Sequence, residues 1–221
     1  SPAFAQALAP LTLLPWTAFL TVWSALNIAV YLALTGPFAL PLAFLPPVFG
    51  ELHLGNIHVL LAGMIVAGFR WPGLWAFGVL TKVTPGVGLL WFLARREWRQ
   101  LAFALGTTMG IVIVSFVVAP SLWFEWVALL AGSTSVVPPN WTLPIPLLPR
   151  ILAAAALVVW GARTDRRWVL PIAVTLSLPV VWGASFAILV ALIPLLRGRA
   201  SIRLPWRRRA VDPGVPGSVA T

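Results

Sequence analysis

Long apolar runs constrain this chain more than any other feature. Seven of them, separated by turn residues or basic clusters, span residues 14–35, 38–49, 57–69, 73–93, 101–119, 149–162 and 168–196. Apolar residues make up 60% of the chain, charged residues make up 9%, and the mean hydropathy is +0.97. So few charges cannot solvate the surface of a soluble domain. We therefore predict a membrane protein whose runs are helical, because lipid offers a backbone N–H or C=O no other partner.

The basic residues predict how the chain is oriented. They form four clusters, which begin at Arg70, Arg95, Arg163 and Arg197. Arginine-rich loops face the cytoplasm, so the chain should cross the membrane an even number of times between consecutive clusters. A single apolar run lies between the first two clusters, and another lies between the last two. We expect each of these runs to turn back at membrane depth as two short helices, although a single kinked helix that leaves one cluster outside is the alternative.

These patterns predict an all-α, polytopic transmembrane helix bundle with about nine crossings, half-hairpins included. Residues 1–196 should form the bundle, and residues 197–221 should form a basic cytoplasmic tail on anionic lipid. The net charge of +10 then reflects topology, and we expect no nucleic-acid partner. The arginine bias favours a bacterial plasma membrane, with the chain multi-pass and its C-terminus cytoplasmic. Because Ser1 leads directly into apolar sequence, we also expect the chain to be an N-terminally truncated fragment.

Under this topology the unusual polar residues gather on the outer side or at membrane depth, where they would line a cavity open to the outside. They are Glu51, His53, Asn56, His58, Lys82, Glu125, Asn140 and Arg150. A non-enzymatic transporter or pore subunit is the alternative function. It would need a polar path through to the cytoplasm, whereas polar residues thin out toward that face.

Each candidate has a structural and a functional interpretation. Asn56 is placed to cap the helix that begins near His58, or both could face a polar substrate. Lys82 would either satisfy carbonyls at a helix end or hold an anion, and we favour the anion. Arg150 would be an exposed interface anchor or the partner of a lipid phosphate. We expect no metal and no cofactor, since there are no cysteines and His53 and His58 do not share a helix face.

Four segments together resemble glycosyltransferase family 87, a family of polytopic GT-C enzymes. A Gly-Asn-x-His-x-Leu-Leu stretch starts at Gly55, and Lys-x-x-Pro starts at Lys82. Asn140-Trp141-Thr142 followed by Arg150 is similar to the family's outer segment. Ser177-Leu178-Pro179 and Trp182 are similar to its Ser-Pro-x-x-Trp turn, although Gly183-Ala184 replaces the acid and the histidine or tyrosine that often follow. The matches occur in the family's order.

The resemblance implies that a sugar, such as mannose or another hexose or pentose, passes from a polyprenyl-phosphate donor to a lipid or glycan acceptor. Transfer would occur on the outer face with inversion. It implies donor-binding or substrate-binding roles for Asn56, His58, Lys82, Asn140 and Arg150. The catalytic base would be an aspartate in the first outer loop, which we expect upstream of Ser1, so this chain alone would be inactive.

Overall fold

A computed structural model describes residues 1–132 and 145–198, and these residues form helices and no strands. The α-helices are α1 (Pro2–Leu8), α2 (Trp16–Thr35), α3 (Ala39–Ala43), α4 (Pro46–Leu54), α5 (His58–Ala67), α6 (Trp75–Lys82), α7 (Leu90–Ala94), α8 (Trp98–Val118), α9 (Pro120–Gly132), α10 (Leu147–Arg163), α11 (Val169–Ser177) and α12 (Leu192–Leu196). Short 3-10 segments cover Ala9–Leu13, Gly36–Phe38, Pro72–Leu74, Thr84–Leu89 and Gly183–Ala191. The prediction of an all-helical chain is confirmed for the described residues.

Two helical stretches are long and apolar enough to cross a membrane, Trp16–Ala43 and Trp98–Val118. The pair α4 and α5 meets the same test jointly but bends by 104°, so the described residues contain two candidate spans, or three if the bent pair is one span. Large apolar side chains on α8 are exposed, as a lipid-facing surface requires: Phe103 is 61% and Val117 75% exposed. The fold is that of a membrane protein, while the number of about nine crossings stays a prediction.

The chain reverses direction at Val83, immediately after α6. A Cβ built on Gly88 would lie 2.2 Å from the ring of Trp75, and the rings of Trp75 and Phe92 are 6.5 Å apart between centroids. In one continuous helix, residues 75 and 88 would be separated by about 20 Å. Val83 makes the turn with φ of +56°, an unusual conformation for a β-branched residue. The helical run 73–93 is therefore folded back on itself.

A second break interrupts the run 168–196. Helix α11 ends at Ser177, Leu178 is extended, and helical structure resumes as 3-10 at Gly183. Proline at position 179 explains the break, because it disfavours helix in the residue before it. The 3-10 segment then packs against α4, α5 and α11. Both breaks thus occur beside the prolines that predicted them.

Three of the basic loops meet at one end of the fold. The Arg95 guanidinium donates to Asp165 Oδ1 at 2.9 Å and to the carbonyl of Ala162 at 3.0 Å. The guanidinium of Arg167 lies over the ring of Phe69, 4.8 Å from its centroid. Phe69 directly precedes Arg70 in the chain. The clusters that begin at Arg70, Arg95 and Arg163 therefore share one side, as the orientation argument requires.

Two elements differ from the sequence prediction. Residues 38–49 are divided into α3 and α4, because Pro46 begins a new helix and forces Leu45 into an extended conformation. Residues 120–132, interpreted as part of an arginine-free outer segment, form α9, which Pro120 begins. In both places proline occupies the first turn of a helix, where its missing N–H costs nothing.

Candidate functional site

The site begins at the sharp turn between α4 and α5. Gly55 ends α4 in the left-handed conformation, with φ of +62°, which glycine adopts without the steric cost of a Cβ. The indole Nε1 of Trp23 donates to the Gly55 carbonyl at 2.5 Å and holds the turn against α2. The 104° bend then places the side chain of Glu51, one turn before the end of α4, over the first residues of α5.

Glu51 caps α5 with both carboxylate oxygens engaged. Its Oε1 accepts from the backbone N–H of His58 at 2.5 Å and of Val59 at 3.3 Å, and its Oε2 lies 2.8 Å from His58 Nδ1. A carboxylate is favourable there, because the first N–H groups of a helix have no partner within the helix and the dipole is positive at that end. Glu51 is fully buried, and His58 is 3% exposed.

The prediction that Asn56 caps α5 is wrong. The cap position belongs to Ile57, and no side chain of the cap residue bonds to the helix. Asn56 itself is half-buried, and its side chain makes no hydrogen bond to the rest of the described chain. A role for that free amide in binding substrate stays a prediction.

Lys82 completes the group from a third element. It is the last residue of α6, and its Nζ lies 2.9 Å from His58 Nε2. Ser185, at the start of the 3-10 segment Gly183–Ala191, places its Oγ 3.3 Å from the same nitrogen. Lys82, at the first break of the fold, and Ser185, just after the second, thus both lie beside the buried imidazole of His58. Lys82 is half-buried, in contrast to the buried Glu51 and His58.

Ser185, His58 and Glu51 have the hydrogen-bond order of a serine nucleophile, its base and the group that orients the base. Their burial argues against that chemistry. Ser185 is fully buried, and its Oγ already accepts from the backbone N–H of Trp182 at 3.1 Å. Lys82 lies closer to His58 Nε2 than the serine does. The group is therefore better suited to holding a cation in place than to attack by the hydroxyl.

Arg150 lies in the first turn of α10 and is 6% exposed, so the interpretation as an exposed interface anchor is wrong. Its Nε donates to the Ile145 carbonyl at 3.0 Å. Its terminal nitrogens donate to the carbonyls of Leu176 at 3.3 Å, Leu178 at 2.8 Å and Pro179 at 3.0 Å. These contacts occupy four of the five N–H donors of a guanidinium. Arg150 thus holds the second helix break, and direct contact with a phosphate stays a prediction.

The two breaks are joined to each other. Ser177, which lies between two residues whose carbonyls Arg150 binds, donates from its Oγ to the carbonyl of Thr84 at 3.1 Å, in the turn that follows Lys82.

The other polar candidates are less closely connected. His53 is exposed and stacks on the ring of Phe49, 5.8 Å away between centroids, and Glu125 is exposed on α9. Asn140 lies outside the described residues. Sequence reasoning listed Glu51 among the polar residues but gave it no role, and it missed Ser185. Glu51 is one of five acidic residues in the whole chain, which was the available signal.

Broken apolar helices around a buried carboxylate, a buried imidazole and a half-buried ammonium define a helical membrane protein with a polar site between its helices. The family is given by comparison of sequences. The model of glycosyltransferase family 87 matches residues 1–210, and the chain belongs to this family. The resemblance found from the four segments is thereby confirmed. Comparison with curated proteins and with solved structures gave no match.

Proposed function

We propose that this glycosyltransferase takes its sugar from a polyprenyl-phosphate donor and transfers it, with inversion, to a lipid or glycan acceptor on the outer face of the membrane. Family membership supports glycosyl transfer itself. The donor class is supported by one observation above the others: Lys82, a half-buried cation, sits at a helix break where His58 holds it. Such a cation suits a phosphate that is carried by a lipid.

Lys82 would act on the leaving group. Negative charge on the phosphate grows as the glycosidic bond breaks, so an ammonium fixed in a site poor in water stabilises the transition state more than the ground state. Asn56, two residues before His58, offers an amide that makes no hydrogen bond to the described residues, while Arg150 fixes the neighbouring helix break. In this scheme His58 contributes to donor binding indirectly, because it holds Lys82 in place. The resemblance places the catalytic base in the first outer loop, and no residue described here is assigned to that role.

We further propose that the reversal at Val83 and the break at residues 178–182 lie at membrane depth, as re-entrant hairpins open to the outside. The chain contains no cysteine, so single cysteines at the exposed positions Val83 and Trp182 can be labelled in the otherwise unchanged protein. A membrane-impermeant maleimide added from outside should modify them in oriented vesicles. Modification of either position from the cytoplasmic side alone would contradict the hairpins.

The donor class is tested with membranes from cells that express the protein at full length, including whatever sequence precedes Ser1. Radiolabelled mannose and other sugars are supplied in parallel as polyprenyl-phosphate sugars and as nucleotide sugars, with membranes lacking the protein as the control. We expect transfer from a polyprenyl-phosphate sugar and none from nucleotide sugars. Transfer from nucleotide sugars alone would refute the proposed donor. Solute flux through reconstituted liposomes without any sugar transfer would instead favour the transporter.

A further inference from the structure

Glu51 has a position that the proposed function leaves unexplained, because it is buried behind His58 and is not in contact with Lys82. We infer that Glu51 is a positioning residue, which holds the proton of His58 on Nδ1 so that Nε2 is free to accept from Lys82. The inference deepens the proposed function and rests on it for the role of Lys82. The hydrogen-bond arrangement itself is open to a test that needs no sugar transfer.

The proton on His58 follows from the donors and acceptors around it. An ammonium has three N–H donors and no lone pair, so a hydrogen bond between Lys82 Nζ and His58 Nε2, 2.9 Å apart, requires an unprotonated Nε2. A neutral imidazole then carries its proton on Nδ1. There the carboxylate of Glu51, an acceptor at 2.8 Å, receives it. The line from carboxylate to imidazole to ammonium therefore has every donor facing an acceptor.

The same geometry shows why the carboxylate needs both of its oxygens. One oxygen serves the two backbone N–H groups at the start of α5, and the other serves His58 Nδ1. In Glu51→Gln the amide has a single oxygen, and the helix N-terminus, with two donors, retains it. The amide NH₂ then faces Nδ1 and can only donate. His58 must move its proton to Nε2, where it opposes the ammonium of Lys82.

The experiment uses ¹⁵N-histidine labelling of the whole chain in lipid nanodiscs, read by NMR. The sequence has two histidines, His53 and His58, so the spectrum contains four ring nitrogens and His53→Gln assigns them. His53 is exposed and serves as the internal reference for a solvated ring. We expect neutral His58 to be protonated on Nδ1 in the unchanged protein and on Nε2 in Glu51→Gln. Protonation of both nitrogens in the unchanged protein, or an unchanged tautomer in Glu51→Gln, would overturn the inference.

Activity of the full-length enzyme, including whatever sequence precedes Ser1, provides the second arm. Glu51→Gln should lower kcat roughly 10- to 100-fold, the scale on which loss of a histidine's outer hydrogen-bond partner acts in metal sites. Glu51→Asp keeps the charge, so we expect it to recover part of the rate and also to restore the proton of His58 to Nδ1. A purely structural role of Glu51 would not link the rate to the tautomer of His58. If the tautomer changes as expected while the rate does not, the positioning of His58 stands and the role of Lys82 in the proposed function fails. If Glu51→Gln does not fold, the tautomer of the unchanged protein still decides the inference.

Discussion

Replacement of Arg150 by methionine tests how the second helix break is held. Methionine keeps much of the length and the apolar stem of arginine but removes every donor. The carbonyls of Leu176, Leu178 and Pro179 lie at or beyond the end of α11, where helical partners are lacking. Arg150→Met would leave them, together with the carbonyl of Ile145, without the guanidinium.

The size of the effect follows from these contacts. Three of the four distances are 2.8–3.0 Å and the fourth is 3.3 Å, so three are counted as strong. The contact with Leu178 is buried, and the other two strong contacts are partly buried. A buried carbonyl left unsatisfied costs about 1–3 kcal/mol and each partly buried hydrogen bond that is lost costs about 0.5–1.5 kcal/mol, which gives a loss of about 2–6 kcal/mol. The variant also avoids the several kcal/mol needed to desolvate the buried charge. We therefore expect the free energy of unfolding to fall by about 3 kcal/mol, near the lower end.

Arg163 provides the matched control, because it lies on the same helix but is exposed and makes no hydrogen bond to the described residues. Arg163→Met should change the free energy of unfolding by less than about 0.5 kcal/mol. Both variants are unfolded by denaturant in the same detergent, with the 13 tryptophans as the fluorescent probe. Equal stability of the two variants would refute the assignment of Arg150 to the break.

Two further changes test the turn at the site and the basic end of the fold. Gly55→Ala should destabilise the protein by about 1–2 kcal/mol in the same titration, because Gly55 has φ of +62° and the new Cβ would lie 3.2 Å from Trp23. An unchanged midpoint would show that the turn relaxes freely. Arg95→Ala should cost less than about 1 kcal/mol, because the ion pair with Asp165 is solvent-exposed. A loss that persists in high salt would contradict that screened interaction.

The fold class and the helix breaks could be predicted from the sequence because both follow from local chemistry. Apolar runs with few charges indicate membrane helices, and Pro85 and Pro179 mark where two of them are interrupted. The helix that begins at Pro120 was not predicted. A proline interpreted as the boundary of an outer segment is the first residue of α9, since proline both ends one helix and begins the next.

The connections within the site could not be predicted, because they join residues far apart in sequence. Ser185 meets His58 across 127 positions, and Lys82 meets it across 24. The prediction of the residue that caps α5 was wrong for a related reason. Local rules select the nearest polar residue, Asn56, whereas a carboxylate seven positions before His58 reaches the helix through the bend at Gly55. Lys82 and His58 were each identified as candidates, but their hydrogen bond depends on the packing of three helices.

Turnover of the Lys82→Ala variant tests most directly the claim that this cation stabilises the leaving phosphate. The measurement is kcat of the full-length enzyme with a polyprenyl-phosphate sugar, in membranes where insertion and folding are verified for each variant. Arg99→Ala removes an exposed charge at the basic end and serves as the matched control. Loss of one transition-state contact costs roughly 2–4 kcal/mol, so Lys82→Ala should lower kcat by a factor of about 100 while Arg99→Ala leaves it unchanged. Near-normal turnover of a folded Lys82→Ala protein would contradict the account and leave Lys82 as a structural partner of His58.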